Sequence, residues 1–318
     1  MISKLVDGSK DARSPAWRNL VIGIGDDAAA WTSEPAVQIA TIDSLNEGAH
    51  FSLDITTWRE LGWKALAVNL SDIAAMGGEP RYALASLILP DVAVEEVAEL
   101  YRGLLELAAK YGVAVAGGNI SRGPAVSATV AVFGVSPDNR LLTRKAAAPG
   151  DKIAVTGWLG GAAGGLRVLR DELSPGADAA AYLRQAFLRP EPRLAEGRVL
   201  AEKGVRTAID ISDGLIADLT HICQASGVGA RVEAASLPVN PLLRAAFGDA
   251  ATGMALAGGE DYELLFTAPP ATIDAVKAAA ACPVTIIGDI LPGKGVSLVD
   301  AGGRPVAPGT AGWDHFRS

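Results

Sequence analysis

Residues 37–78, VQIATIDSLNEGAHFSLDITTWRELGWKALAVNLSDIAAMGG, decide how the chain is read. Val37 to Thr41 is an apolar run of strand type, and Trp58 to Met76 sets Leu61, Ala65, Val68 and Ala75 at near-helical spacing. The order is strand, loop, helix. Two of its carboxylates stand out. Asp43 sits just past the strand, and Asp72 lies within the helical apolar pattern, where a lone charge faces a steep desolvation cost.

The same alternation extends in both directions. Tyr82 to Leu89 reads as a buried strand ended by Pro90, and Val94 to Tyr111 as a helix with Glu95 and Glu96 near its positive end. Val113 to Ala116 reads as a short strand running into GGNISRG, and Val126 to Val135 as another strand. The small residues Ala146, Ala147, Ala148, Pro149 and Gly150 form a connector, which predicts an N-terminal domain at 1–145 and a C-terminal domain at 146–318. Beyond it, a strand at Lys152 to Thr156 precedes the glycine-rich run GWLGGAAGG. Helical patterns follow at Ala179 to Leu188 and Arg193 to Lys203, then a strand into DISDGL and a helix at Leu215 to Ala225. A strand at Glu263 to Thr267, a helix at Thr272 to Ala281 and a strand at Val284 to Gly288 complete the pattern. A mixed α/β fold of two domains is expected, with no fixed-period repeat or heptad.

Length supports this reading, because 318 residues exceed the usual size of one core and 49% hydrophobic content is ample for two. The formal net charge of −8 comes without a basic stripe, which argues against a nucleic-acid partner and for small ligands. The start, MISKLVDGSKDARSP, lacks an apolar core of signal-peptide length, and the stretch from Ile153 to Leu166 is too short and too glycine-rich to span a bilayer. A soluble, cytoplasmic protein without a membrane partner is expected. Cys223 and Cys282 form no CxxC pair and sit among apolar residues, so each reads as a buried, inert thiol.

The placement of the acids carries the chemistry. Besides Asp43 in TIDSLNEGAHF and Asp72 in NLSDIAAMGG, there are Asp26 and Asp27 in GIGDDAA, and Asp210 and Asp213 in DISDGL, each beside glycine or another small residue. Carboxylates gathered in this way are costly unless a cation stands among them, and a hard divalent ion with oxygen ligands suits them best. GIGDDAA also fits a plain acidic turn, and formally a dinucleotide fingerprint, although its two acids would occupy the place of a pyrophosphate. In TIDSLNEGAHF, Thr41, Asp43, Glu47 and His50 are candidates; a turn with a solvated Glu and a packed His is the alternative. GGNISRG, with Gly117, Gly118 and Asn119, reads either as a loop that lets phosphate or metal approach or as a tight β-turn. Ser212 and Asp213 are good helix caps as well as candidate ligands. GGEDYEL supplies Glu260 and Asp261, Arg144 offers a cation for phosphate, and the tail GWDHF offers Trp313 and Phe316, either to plug a core edge or to stack on a flat cationic ring.

Absences narrow the class further. The chain has no G-x-x-x-x-G-K-[ST] loop, no HRD and DFG set, no G-x-S-x-G elbow, and only three histidines for a zinc site.

Taken in order and spacing, GIGDDAA, TIDSLNEGAHF, NLSDIAAMGG, GGN, DISDGL, GGEDYEL and GWDHF resemble the thiamine-monophosphate kinase family, over almost the whole chain. That family belongs to the superfamily of aminoimidazole ribonucleotide synthetase and selenophosphate synthetase. The resemblance implies a two-domain α/β fold, an N-terminal domain that binds ATP and metal and dimerises through its sheet, and a C-terminal domain that closes the active-site cleft. It implies several Mg2+ ions, ATP as co-substrate, thiamine monophosphate as acceptor, and a homodimer. By matching motif, Asp26, Thr41, Asp43, Asp72, Asn119, Asp210 and Asp213 take the place of magnesium ligands. Tyr101, Gly118, Asn119, Arg144 and Ser212 take that of ATP contacts, and His50, Glu260 and Trp313 that of contacts to thiamine phosphate. Asp43, Asp72, Arg144 and Asp213 carry the catalysis in this reading. Two departures stand out: Thr41-Ile42-Asp43 replaces the family's Thr-Thr-Asp, and Gly117-Gly118-Asn119 replaces its Gly-Gly-Asp. Asn119 can still offer a carbonyl oxygen but brings no charge. A sister ATP-dependent ligase of the superfamily and a non-catalytic nucleotide- or metal-binding dimer are the rival readings.

Overall fold

The computed structural model describes residues 2–11, 13–24, 28–170 and 173–306. Asp26, Asp27 and Trp313, together with the rest of the GWDHF tail, lie outside them. The chain forms two units. The first takes 1–73 and 78–139, and the second takes 140–318 together with the four residues Ala74–Gly77.

The first unit runs α1 (Ile2–Gly8), α2 (Pro15–Asn19), β1 (Leu20–Ile22), β2 (Ala30–Trp31), β3 (Val37–Asn46), α3 (Trp58–Ala75), β4 (Glu79–Leu89), α4 (Val94–Tyr111), β5 (Ala114–Arg122) and β6 (Ser127–Ser136). Its four-stranded sheet has the order β3-β6-β4-β5, antiparallel except for β4 and β5. Helix α3 is apolar nearly all round, and residues Leu61 to Ser71 are all buried, as expected of a helix enclosed on every side. It meets the sheet through Ile73, which would touch any side chain added at Gly78 or Gly134. It meets α4 at a crossing of two glycines: a Cβ on Gly62 would lie 1.8 Å from the Leu100 carbonyl oxygen, and one on Gly103 1.8 Å from that of Arg59. Helix α4 is amphipathic and ends on Gly112 in the left-handed conformation, a common helix stop. On the other face of the sheet, Trp17, Leu20, Trp31 and Ala16 from the N-terminal segment cover Tyr82, Phe133 and Ala114, with Trp31 stacked on Tyr82 at 4.4 Å. The remainder of that face is open and carries Ser44, Ser86 and the 64% exposed Ile42.

The second unit contains β7 (Lys152–Thr156), α5 (Gly161–Leu169), α6 (Ala177–Leu188), α7 (Leu194–Glu202), β8 (Thr207–Asp210), α8 (Leu215–Ser226) and β9 (Gly229–Glu233). It continues with α9 (Pro241–Phe247), α10 (Ala250–Ala257), β10 (Leu264–Ala268), α11 (Pro270–Lys277), β11 (Val284–Leu291), β12 (Gly295–Val299) and β13 (Pro305–Val306). The sheet order is β13-β12-β9-β11-β7-β10-β8, and only the pair of β9 and β12 is parallel. Its core gathers Val155, Ile209, Leu265 and Ile287 from the strands with Leu183, Leu219 and Leu243 from the helices. The glycine-rich run after β7 becomes helix α5 because its glycines let α6 approach closely: a Cβ on Gly165 would lie 2.0 Å from the Leu183 carbonyl oxygen.

The α/β class and the helices and strands expected from the sequence are present, with three corrections. Strand β3 runs on to Asn46, paired without interruption from Val37↔Ser136 to Asn46↔Ser127, so Asp43 lies inside a strand and not in a loop. GGNISR is likewise strand, paired in parallel with β4 as far as Leu89↔Arg122. Cys223 is buried as expected, whereas Cys282 is half-buried, because it lies in an exposed turn where its thiol donates to the Pro283 carbonyl at 3.5 Å. No helix among the described residues is long and apolar enough to cross a membrane.

The glycine crossing yields a stability prediction. Gly103→Ala forces α3 and α4 apart and is expected to lower unfolding stability by about 1–3 kcal/mol, as overpacked cores do. Gly253→Ala, in the exposed part of α10 where an added Cβ meets nothing within 4 Å, is expected to raise it by about 1 kcal/mol. Urea unfolding midpoints check both, and an unchanged midpoint for Gly103→Ala would contradict the close crossing.

Candidate functional site

Side chains two apart on a strand share a face. Thr41 and Asp43 therefore stand with Ile39 and Leu45 on the face of β3 that α3 covers, and Asp72 reaches that face from α3. The Thr41 hydroxyl donates to Asp72 Oδ2 at 2.5 Å. Asp43 and Asp72 are also in hydrogen-bond contact. As a whole residue Asp43 is exposed, yet its carboxyl is crowded by protein. Burial, then the charge of Asp72, then the hydrogen bond with it push Asp43 up to about 6. Two carboxyls this close hold one proton to a higher pH than either would alone.

The turn after β3 uses two further candidates in its own construction. His50 Nδ1 accepts the Asn46 N–H at 3.1 Å, and Glu47 accepts the Val126 N–H at 3.1 Å, while Gly48 supplies a φ of 83°. In β5, an added Cβ on Gly118 would lie 2.0 Å from the Ala85 carbonyl oxygen, so close strand contact alone demands glycine there. Asn119 shares a register row with Ser86, Thr129 and Ser44, next to the row of Asp43, Val130, Ala85 and Gly118. Adjacent rows face opposite sides of a sheet, so Asn119 and Asp43 do not share a face. Tyr101 is 3% exposed and sits in the core side of α4.

In the second unit the acids gather at one end of the sheet. Strands β7 and β8 both run antiparallel to β10, which brings the C-terminal ends of the first two beside the N-terminal end of the third. Asp210 ends β8 and is 4% exposed. Neither Ser212 nor Asp213 caps α8. Gly214 holds the capping position at φ 121°, a conformation closed to other residues, and the cap is supplied from within the helix. Asp218 Oδ2 accepts the N–H groups of Ser212, Asp213 and Gly214 at 3.2, 3.2 and 3.1 Å. Burial and the charges of Asp210 and Asp213 push Asp218 up to about 8 against those three donors. Ligand atoms of Asp213, Asp218 and His221 lie within 4.8 Å of one another.

The GGEDYEL segment is fastened to this turn. Glu260 N–H donates to the Ser212 carbonyl at 2.8 Å, Tyr262 N–H to that of Ile211 at 2.9 Å, and Ile211 N–H to that of Glu263 at 2.8 Å. The structure thus brings Ser212, Asp213 and Glu260 together. Behind them, Glu263 is 4% exposed and forms a two-pronged pair with Arg193 at 2.7 and 2.6 Å, and it accepts the Thr156 hydroxyl at 2.7 Å. Arg144 is exposed, and the chain before it joins the edge of the sheet: Thr143 N–H donates to the Arg206 carbonyl at 2.9 Å and Ala208 N–H to that of Thr143 at 3.2 Å.

Asp218, Glu263 and Arg193 escaped the sequence reading as site residues. For Asp218 a signal existed, an acid in the first turn of the helix that follows DISDG. For the Arg193–Glu263 pair no local signal exists, because its partners are 70 residues apart.

Around Asp43 and Asp72 the donors are hard oxygens, two carboxylates and the Thr41 hydroxyl, and they fit a hard divalent cation better than zinc or copper, whereas His221 adds a nitrogen donor beside Asp213 and Asp218. Residues 25–136 match the AIR synthase related protein N-terminal domain, and residues 148–301 match the AIR synthase related protein C-terminal domain. The chain is 41% identical over 303 residues to a thiamine-monophosphate kinase of Escherichia coli (strain K12), covering 93% of this chain and 92% of that relative. Among solved structures, it is similar to a thiamine-monophosphate kinase from Stenotrophomonas maltophilia K279a, with a TM-score of 0.85 and 38% identity, covering 93% of this chain and 94% of that one. It is similar also to AaThiL complexed with AMPPCP and TMP, with a TM-score of 0.79, 36% identity and 92% coverage of both chains. The chain belongs to the thiamine-monophosphate kinase family, within the AIR synthase related proteins.

Proposed function

We propose that this enzyme transfers the γ-phosphoryl group of ATP to the phosphate of thiamine monophosphate, giving thiamine diphosphate and ADP. The observation that carries the reading is kinship with thiamine-monophosphate kinases across both matched domains. The chemistry suits the residues. A phosphomonoester has its second pKa at about 6, so the nucleophile is already largely ionised near neutral pH and needs no general base. What remains for the protein is to align two polyanions and offset their repulsion.

Thr41, Asp43 and Asp72 in the first unit, and Asp210 and Asp213 in the second, are the described residues that would hold magnesium, with Asp26 outside the described residues. Magnesium held by these residues would supply positive charge to phosphate oxygens. Asn119, read from the sequence as a further ligand, lies on the same side of the sheet as Ser44 and away from Asp43, so it does not join this set. Arg144, Ser212 and Gly118 are the proposed ATP contacts, whereas Tyr101, read from the sequence as another, is buried on the core side of α4. His50, Glu260 and Trp313 contact thiamine phosphate. The open part of the first unit's sheet, with Ile42 and Ser44, forms the homodimer face, and the enzyme works in the cytoplasm.

An assay with purified protein, ATP, Mg2+ and thiamine monophosphate as sole acceptor tests the reading. ADP and thiamine diphosphate are expected in equal amounts. ADP formed only with an aminoimidazole precursor would instead place the chain among the sister ligases. Asp43→Asn and Asp72→Asn are each expected to cut kcat roughly a hundredfold or more while the far-ultraviolet spectrum stays native; full activity in either variant would remove that residue from the site.

A pH prediction follows from the crowded acids. Asp43, Asp218 and Asp261, raised to about 6, 8 and 7, keep protons in the folded chain that the unfolded chain loses near pH 4. The folded state then binds more protons than the unfolded state, so stability falls as pH rises from about 4 to 8. Asp289, partly buried but held low by Lys152 and Arg231, and Glu34, held low by Arg81, act the other way. Their stability is present above about pH 4 and is lost only as pH falls below it. In chelator, Tm is therefore expected to decline between pH 5 and 8, and Mg2+ to raise Tm more at pH 8 than at pH 5. A Tm that rises with pH over that window in chelator would contradict the account.

A further inference from the structure

Glu260 and Tyr262 have φ of 66° and 50°, and they are two of the three non-glycine residues with positive φ among the described residues. Left-handed backbone at such residues costs free energy and persists only where the surroundings impose it. Between the two stands Asp261. Its Oδ2 accepts the Gly160 N–H at 2.6 Å, and its Oδ1 accepts the Ala162 N–H at 3.1 Å. Gly160 is the cap of helix α5 and Ala162 lies in its first turn, so both carboxylate oxygens are occupied by the start of a helix that belongs to no substrate contact named above. On the opposite side the same segment is tied by Glu260 N–H and Tyr262 N–H to the carbonyls of Ser212 and Ile211. Gly259 completes the contact, since a Cβ there would lie 2.4 Å from the Ser212 carbonyl oxygen.

The arrangement works as an anchor with two arms. When ionised, such an acceptor forms hydrogen bonds roughly twice as strong as a neutral one, and these two reach a helix whose N-terminal dipole also favours the negative charge. Helix α5 in turn is locked by the close packing of Gly165 on α6. The anchor therefore transmits the position of a rigid helix to the residues on either side of Asp261. Since one neighbour is Glu260, its release lets Glu260 drift, while Ser212 stays held by Asp218.

We propose that Asp261 is a positioning residue for the transfer reaction: by holding the first turn of α5 it fixes the left-handed turn that presents Glu260 to the thiamine phosphate. This rests on the assignment of Glu260 as an acceptor contact in the reading above. Asp261 itself touches neither substrate.

A double-mutant cycle tests it. Asp261→Asn keeps size but sets an amide N–H2 against one of the two backbone donors, and the expected result is a rise of about tenfold in KM for thiamine monophosphate, the loss of roughly one charge-assisted hydrogen bond. KM for ATP is expected to stay within about twofold. Glu260→Gln alone is expected to raise the same KM, and adding Asp261→Asn to it to raise it no further, because the Asp acts through the Glu. Ala162→Pro provides a second variant that leaves Asp261 in place; it removes one donor at a helix position where proline is tolerated, and an intermediate rise in the same KM is expected. If Glu260→Gln raises KM while Asp261→Asn and Ala162→Pro do not, the positioning role is wrong and the acceptor contact survives. If the effects of Asp261→Asn and Glu260→Gln simply multiply, Asp261 acts on general stability and the proposal fails. If Glu260→Gln leaves KM unchanged, the acceptor contact fails and the positioning role falls with it.

Discussion

Like-charged carboxyls held at hydrogen-bond distance are the constraint from which the rest of this molecule can be understood. Asp43 and Asp72 meet through a strand and a helix packed face to face, with the Thr41 hydroxyl bonded to one of them. Asp210, Asp213 and Asp218 crowd one strand end in the second unit. A protein optimised for stability alone would place apolar or paired residues at these positions. The magnesium proposed above would bring the positive charge that such groups lack among themselves.

The surrounding scaffold is built to hold such groups without help from their own attraction. In the first unit α3 is buried nearly all round, so Asp72 cannot swing away from β3 without disturbing the core. In the second, Asp218 gathers three backbone donors into one knot, and the Glu260 segment is laced to it by main-chain bonds. The Arg193–Glu263 pair sits behind that lacing as a buried two-pronged contact, whose loss would leave an uncompensated charge inside. Acids near the surface are thus positioned by fully bonded acids beneath them.

Much of this was legible in the sequence, and the exceptions share a cause. Long periodic segments such as Trp58 to Ala75 and Val94 to Tyr111 were clear because their apolar positions repeat at helical spacing. The acidic motifs were clear because glycine and alanine flank them. What stayed hidden depended on partners remote in sequence. Asp43 continues a strand, although polar residues surround it, because β6 pairs with all ten residues of β3. GGNISR is strand, although its glycines suggest a turn, because β4 accepts it in parallel. The glycine-rich run after β7 is a helix since tertiary packing against α6 outweighs the low helix propensity of glycine. Local chemistry named the groups that matter, and long-range pairing decided where they stand.

The most direct test of the central claim measures protons and metal together. If Asp43 and Asp72 share a proton in the free protein, magnesium must displace it. Titration calorimetry of Mg2+ into nucleotide-free protein near pH 6, the value to which Asp43 is raised, should then give heats that change with the ionisation enthalpy of the buffer. Asp43→Asn should weaken binding and reduce that buffer dependence. Tight binding with buffer-independent heats, or no binding at millimolar Mg2+ with or without nucleotide, would contradict the account.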